Sequence, residues 1–196
     1  MTTTLTNGSN DAYAKSAYVS GTNVYVAGYE SNGTKYVATV WKNSVATTLT
    51  NGSNDAYANS VYVSGADVYA AGQEYNGIKL VAKVWKNGVA TSLTNGSNDA
   101  YANSVYVSGT DVYVAVEESN GTNYVAKFWK NGVITSLTNG SKKAAAHSIY
   151  VSGTDVYVAG YEFIGTKSVA KVWKNGVATS LTNDSNKGYA ASIFLY

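Results

Sequence analysis

Apolar and polar positions in this chain alternate over short stretches, and residues 58–94 show the pattern most cleanly. Ala58-Asn59-Ser60-Val61-Tyr62-Val63-Ser64 predicts a strand. Gly65-Ala66 follows, a two-residue loop with glycine in the first central place, as a type II′ hairpin needs. Asp67 to Glu74 predicts a second strand, and Asn76-Gly77 signals a type I′ turn. Lys79 to Lys86 predicts a third strand, Asn87-Gly88 another I′ turn, and Val89 to Thr94 a fourth strand. A polar link, Asn95-Gly96-Ser97-Asn98-Asp99, then leads into the same sequence of signals again. Val, Thr and Tyr dominate the runs, proline is absent, and no 3.6-residue apolar stripe interrupts them.

The recurrence has a fixed period. All four tryptophans, Trp41, Trp85, Trp129 and Trp173, lie 44 residues apart, each followed by Lys-Asn. A period of this size marks a repeat architecture. Each unit is a four-stranded antiparallel meander, and Val61-Tyr62-Val63 and Val68-Tyr69-Ala70-Ala71 put apolar groups on both of its faces. Stacking the meanders around an axis buries both faces, which predicts an all-β chain. Its fold is a β-propeller of four-stranded antiparallel blades over residues 1–196, with four full blades plus one partial. The first strand of each blade lines the central channel and the fourth is outermost.

Thr2 to Thr6 matches the fourth strand of a unit, and Tyr189 to Leu195 a lone first strand. The tally of one, sixteen and one strands does not fit simple closure; a four-blade ring would take Thr2–Thr6 in place of its last fourth strand and leave residues 177–196 spare. The expectation is an arc of a larger propeller, or a ring completed by a homo-oligomer through unpaired terminal strands.

The run Val151-Ser152-Gly153-Thr154-Asp155-Val156-Tyr157-Val158-Ala159-Gly160 resembles the inner hairpin of bacterial propeller repeats of the YVTN type. The Trp-Lys-Asn-Gly turn is similar to other tandem propeller repeats of bacteria. The resemblance covers the whole chain and implies a binding or scaffold role; it carries over no functional residue.

Charge narrows the partners. The formal net charge is +2 and all 14 cations are lysines, one to four per repeat, without the arginine forks and basic stripe of nucleic-acid binding. Cysteine is absent, which excludes a disulfide framework and thiolate chemistry. No apolar run reaches the ~20 residues of a membrane helix. The first residues carry no signal-peptide core. Richness in Thr, Ser, Asn, Gly and Tyr is that of bacterial surface and secreted proteins.

Candidate chemistry sits at one rim. Glu30, Glu74, Glu118 and Glu162 recur at the period and suggest a cation or sugar site. Their structural reading is cross-strand ion pairing, with Glu30 opposite Lys35, Glu74 opposite Lys79 and Glu162 opposite Lys167, while Glu118 faces Asn123 and lacks a lysine. Asp11, Asp55 and Asp99 occupy the links, replaced by Lys143 and Lys187 in the last two. One carboxylate per link falls short of the six to eight oxygens of calcium, and an Asx-type turn is the plainer account. Tyr29, Tyr75, Tyr161 and Phe163 lie beside Asn32, Asn76 and Asn120, a combination of aromatic faces and amides that suits sugars. Multi-bladed lectins of the tachylectin kind use repeated sites between blades, and this chain is loosely similar to them. The tryptophans read as packing between blades. His147, whose equivalents are Lys15, Asn59 and Asn103, reads as a surface or channel residue, since no triad or ligand cluster surrounds it.

These residues point to a non-catalytic binding module with a protein or glycan partner, no cofactor and no metal. The candidate rim is Tyr29, Glu30, Asp55, Glu74, Tyr75, Asp99, Glu118, Tyr161 and Glu162. A structural spacer of a longer surface protein and a hydrolase or lyase on a propeller scaffold are the alternatives. The departures from the repeat, Val116-Glu117, Phe163-Ile164, Lys142-Lys143 and His147, are where catalysis would break symmetry.

Overall fold

The computed structural model describes residues 4–183 and 185–195, in which every regular element is a strand. Blade 1 holds β1 (Ala12–Ser20), β2 (Asn23–Ser31), β3 (Tyr36–Lys42) and β4 (Val45–Thr48). Blade 2 holds β5 (Ala56–Ser64), β6 (Asp67–Tyr75), β7 (Leu80–Lys86) and β8 (Val89–Ser92). Blade 3 holds β9 (Ala100–Ser108), β10 (Asp111–Ser119), β11 (Tyr124–Lys130) and β12 (Val133–Ser136). Blade 4 holds β13 (Ala144–Ser152), β14 (Asp155–Ile164), β15 (Lys167–Lys174) and β16 (Val177–Ser180). Each set is its own antiparallel sheet with strands in chain order, four blades of a propeller. First strands pack on first strands of the next blade, β1 on β5, β5 on β9 and β9 on β13. The fourth strands are exposed along their whole length, so the sheets fan outward from a common hub.

Three apolar cores fill the three spaces between consecutive blades. Between blades 1 and 2, Tyr25, Ala27, Ala38 and Val40 of one sheet meet Ala56, Ala58, Val61 and Val63 of the next, with Trp85 between them. Both faces of a sheet are thus apolar because each touches a different neighbour. At the hub, Tyr18, Tyr62, Tyr106, Tyr150 and Phe194 form an aromatic ladder with ring centroids 4.8, 4.9, 4.7 and 5.4 Å apart. Each such contact contributes about 0.5–1.5 kcal/mol beyond its buried area.

The turns show where local chemistry decides geometry. Gly65 has φ 60° and Ala66 does not go positive, as the II′ expectation requires. Asn87 and Gly88 both have positive φ, 50° and 83°, as in type I′. Asn76-Gly77 differs: only Gly77 is positive, and the loop takes four residues, with Tyr75 paired to Leu80. The Asn76 side chain caps this turn. Its Oδ1 accepts from the N–H groups of Ile78 and Lys79 at 2.9 and 2.8 Å, which closes the turn as an Asx loop. Blade 4 has Ile164 in that place, and there the same register is kept, with Ile164 paired to Lys167 around Gly165-Thr166.

Every first strand carries a β-bulge at one repeat position, skipping Lys15, Asn59, Asn103 or His147. At Asn59 and Asn103 the bulge turns that side chain toward the following blade. Asn59 Nδ2 donates to Ala102 O at 3.0 Å and Asn103 Nδ2 to Ala146 O at 2.9 Å. The next residue accepts in return: Ser16, Ser60 and Ser104 Oγ receive the N–H of Val61, Val105 and Ile149 at 3.5, 3.2 and 3.3 Å. Both bonds clasp the inner strands of blades 2 and 3 and of blades 3 and 4, and the serine bond joins those of blades 1 and 2.

The terminal expectations are corrected. Thr2 and Thr3 lie outside the described residues, and 4–6 form no strand. Residues 189–195 form no strand either, because no second strand lies beside them to build a ladder. They nevertheless follow the track of a fifth inner strand. Ile193 N–H donates to Ser148 Oγ at 3.2 Å and Ala190 N–H to Gly160 O at 3.2 Å.

Candidate functional site

The link between two blades is fixed by the turn it crosses. Asp55 Oδ1 accepts from Tyr36 N–H at 3.0 Å and its Oδ2 pairs with Lys35 Nζ at 3.1 Å. Asp99 repeats this with Leu80 N–H at 3.0 Å and Lys79 at 3.2 Å. Partial burial pushes the Asp55 carboxyl up, but the Tyr36 N–H and Lys35 outweigh it and hold it below the usual range. The Leu80 N–H holds Asp99 down against burial, with Lys79 adding to it. The link aspartates are therefore ionised structural ties.

The expected pairing of the glutamates is corrected. Because the turn centres on Gly77-Ile78 and not on Asn76-Gly77, Glu74 stands opposite Val81, and Lys83, two residues along on the same face, reaches it at 2.8 Å. Glu118 does have a lysine, Lys127 at 2.6 Å, and Glu162 pairs with Lys171 at 3.3 Å. In blade 1 the lysine position is Thr39, so Glu30 is the one member of the set without this partner. Lys35 and Lys79 serve the aspartates instead, and Lys167 donates to the carbonyl of Ser185 at 2.5 Å.

The tyrosines separate into three environments. Tyr29 packs into a cluster with Tyr13, Tyr36 and Tyr57, at 5.0, 5.2 and 4.8 Å. Burial, with Tyr13 alongside, pushes the Tyr29 hydroxyl up. Tyr161 is not an open rim residue: it is 8% exposed, enclosed by His147, Phe163 and Tyr189. Tyr75 is half-buried and stands on a ridge between two grooves.

The first groove, about 390 Å³, is lined by Asp55, Tyr57, Tyr75, Leu80, Asp99 and Tyr101. The second, about 550 Å³, runs along Asn54, Tyr75, Asn76, Thr94, Asn95 and the Glu74–Lys83 pair. Four of the nine expected rim residues, Asp55, Glu74, Tyr75 and Asp99, thus come together on blade 2. Tyr29 and Glu30 lie on blade 1, Glu118 on blade 3, and Tyr161 and Glu162 on blade 4. Tyr57 and Tyr101 were missed as site residues; their recurrence with Tyr13 just after each link aspartate was the available signal. Burial pushes both hydroxyls up, so both rings stay neutral.

His147 is corrected from a free surface or channel group to a clasp. It takes the asparagine place, half-buried, with Nδ1 3.1 Å from Ala190 O. Among the described residues no three His, Asp or Glu side chains gather at metal-ligand spacing. No helix there is long and apolar enough to cross a membrane.

No protein-family model matches the chain, and no curated protein matches it by sequence. Its fold is similar to a solved structure of a putative TolB from Agrobacterium tumefaciens, with TM-score 0.59 at 12% identity. That match covers 88% of this chain and 65% of the other, so the chain spans less than two thirds of its neighbour's length. The likeness is one of propeller architecture.

Proposed function

We propose that this chain is a non-catalytic binding module and that the blade 2 rim takes a neutral glycan across Tyr75. The observation that carries the reading is the meeting of two unlike grooves at one half-buried aromatic ring. One groove offers the rings of Tyr57, Tyr75 and Tyr101 to the C–H faces of a sugar. The other offers the amide of Asn54 and the Nδ2 of Asn95 to its hydroxyls, while Asn76 is held by its own turn. The carboxylates between them are held by lysines and backbone N–H groups, so the surface presents little free charge to a ligand. A propeller scaffold supports this role, since it positions rim loops rigidly. Tyr75 has Ser31, Ser119 and Phe163 at its equivalent positions, so the site is single.

A glycan array with the wild-type chain and with Tyr75→Ala tests this. One sugar class bound by the wild type and lost by the variant is expected, with one site per chain by calorimetry. A blank array, or binding indifferent to Tyr75→Ala, sinks the reading.

A further inference from the structure

Blades 2, 3 and 4 each present a leading face to the blade before them, and blade 1 has the same face with no blade against it among the described residues. Val63, Val107 and Val151 are 6%, 4% and 4% exposed, whereas Val19, at their position, is 66% exposed. Ala14 and Ala17 are exposed where Ala58 and Val61 are buried, and Val24 is 44% exposed. The residue types are nonetheless those of an interface: Ala12, Ala14, Ala17, Val19 and Val24 repeat the small and β-branched series of the buried faces. Leu5 supplies part of the missing cover. It lines a cavity with Trp41, as Leu49 does with Trp85.

The opposite end of the molecule carries the complement. Blade 4 has Tyr157, Ala159, Ala170 and Val172 at the positions of Tyr25, Ala27, Ala38 and Val40, the surface that receives blade 2. Its link leucine, Leu181, is 56% exposed where Leu93 is buried between blades. Three times within the chain these two surfaces meet and bury each other.

We propose that the leading face of blade 1 docks a second copy of this chain, head to tail, on that copy's blade 4. The contact is face to face, unlike pairing of strand edges, and each copy keeps a free end of each kind. Such a heterologous contact closes after two copies if the rotation permits, and eight blades lie within the range of closed propellers. Residues 189–194 hold the receiving track in the single chain without forming a ladder, and yield it to the incoming β1. Ser148 Oγ then receives Ala17 N–H and His147 donates to Ala14 O, the two bonds that clasp the inner strands elsewhere.

Light scattering over a dilution series reads the result directly. The wild-type mass is expected to rise from 20.6 kDa toward twice that value with concentration. Val19→Lys, a change at an already exposed side chain, is expected to weaken the association about tenfold or more, since a lysine cannot be buried there unpaired. Val45→Lys, equally exposed but on the outer strand of blade 1, is expected to leave it unchanged. A mass of 20.6 kDa at every concentration overturns the proposal, as does an assembly that Val19→Lys leaves intact or that Val45→Lys weakens equally.

Discussion

His147 Nδ1 lies 3.1 Å from the carbonyl oxygen of Ala190, making from an imidazole the bond that Asn59 and Asn103 make from amides. Only a donor satisfies a carbonyl, so the Nδ1 position carries the proton. A role as clasp predicts that the residue type matters less than the donor. His147→Asn is expected to leave stability within about 0.5 kcal/mol of the wild type, and His147→Ala to lower it by about 1 kcal/mol. Urea midpoints with unchanged slopes check both.

The blades were legible because the apolar runs, the Gly-first and Asn-Gly turns and the 44-residue spacing of Trp41, Trp85, Trp129 and Trp173 agree with one another. The ion pairs were not, for one physical reason. Asn32, Asn76 and Asn120 look like I′ residues, yet only the glycine after each takes a positive φ, and the asparagine side chains accept from the turn backbone instead. The turn therefore centres one residue later than the Asn-Gly pair suggests, as it also does on Gly165-Thr166 in blade 4, and that register moves the partner of Glu74 from Lys79 to Lys83. The clasp was equally hidden, since a bulge at Asn59 reorients a side chain that strict alternation places elsewhere. Of the rim, Asp55, Glu74, Tyr75 and Asp99 were found together because they flank one link and one turn. Tyr161 is buried because Tyr189 comes from far along the chain to cover it.

Glu117 is the acidic departure from the repeat, standing where blade 2 has Gln73. Gln73 Oε1 accepts from Asn59 Nδ2 at 2.8 Å. Burial pushes the Glu117 carboxyl up, only partly offset by a hydrogen bond from Asn103 and the charge of Lys143. A raised folded-state value means that ionised Glu117 opposes folding at neutral pH, and that this penalty fades as pH falls through that value. Glu117→Gln keeps the acceptor and removes the charge. It is expected to stabilise the protein by about 1 kcal/mol at pH 7. The gain is expected to vanish below about pH 4, where the unfolded chain's glutamate is also protonated. Denaturant titrations at pH 7 and pH 4 check this; an equal gain at both would refute the electrostatic account.

Ala70 leaves a gap that the other blades fill. Val26, Val114 and Val158 hold its position, and beside Ala70 lies a cavity of about 230 Å³ lined by Tyr25, Leu49, Val68 and Trp85. Ala70→Val adds two carbon groups at about 0.8 kcal/mol each, less some loss to packing strain. A net gain of about 1 kcal/mol in unfolding free energy is expected. A loss would mean that the sheets close on the alanine and that the space belongs to the open end of the cleft.

Ser44 tests how local strain is carried within a repeat. The type I′ turn between β3 and β4 requires positive φ at both central residues, and blade 1 places serine where the others have Gly88, Gly132 and Gly176. Ser44 holds φ 70°, a conformation that costs an L-residue roughly 1–2 kcal/mol, and its buried hydroxyl has no hydrogen-bond partner among the described residues. Glycine relieves both at some cost in unfolded-chain entropy. Ser44→Gly is expected to raise stability by about 1 kcal/mol net, and Gly88→Ser to lower it by a similar amount. Because the two turns are chemically alike, the pair of variants separates turn strain from blade context. Opposite and comparable shifts in denaturation midpoint identify backbone strain, whereas a neutral Ser44→Gly would place the tolerance for serine in the uncovered surroundings of blade 1.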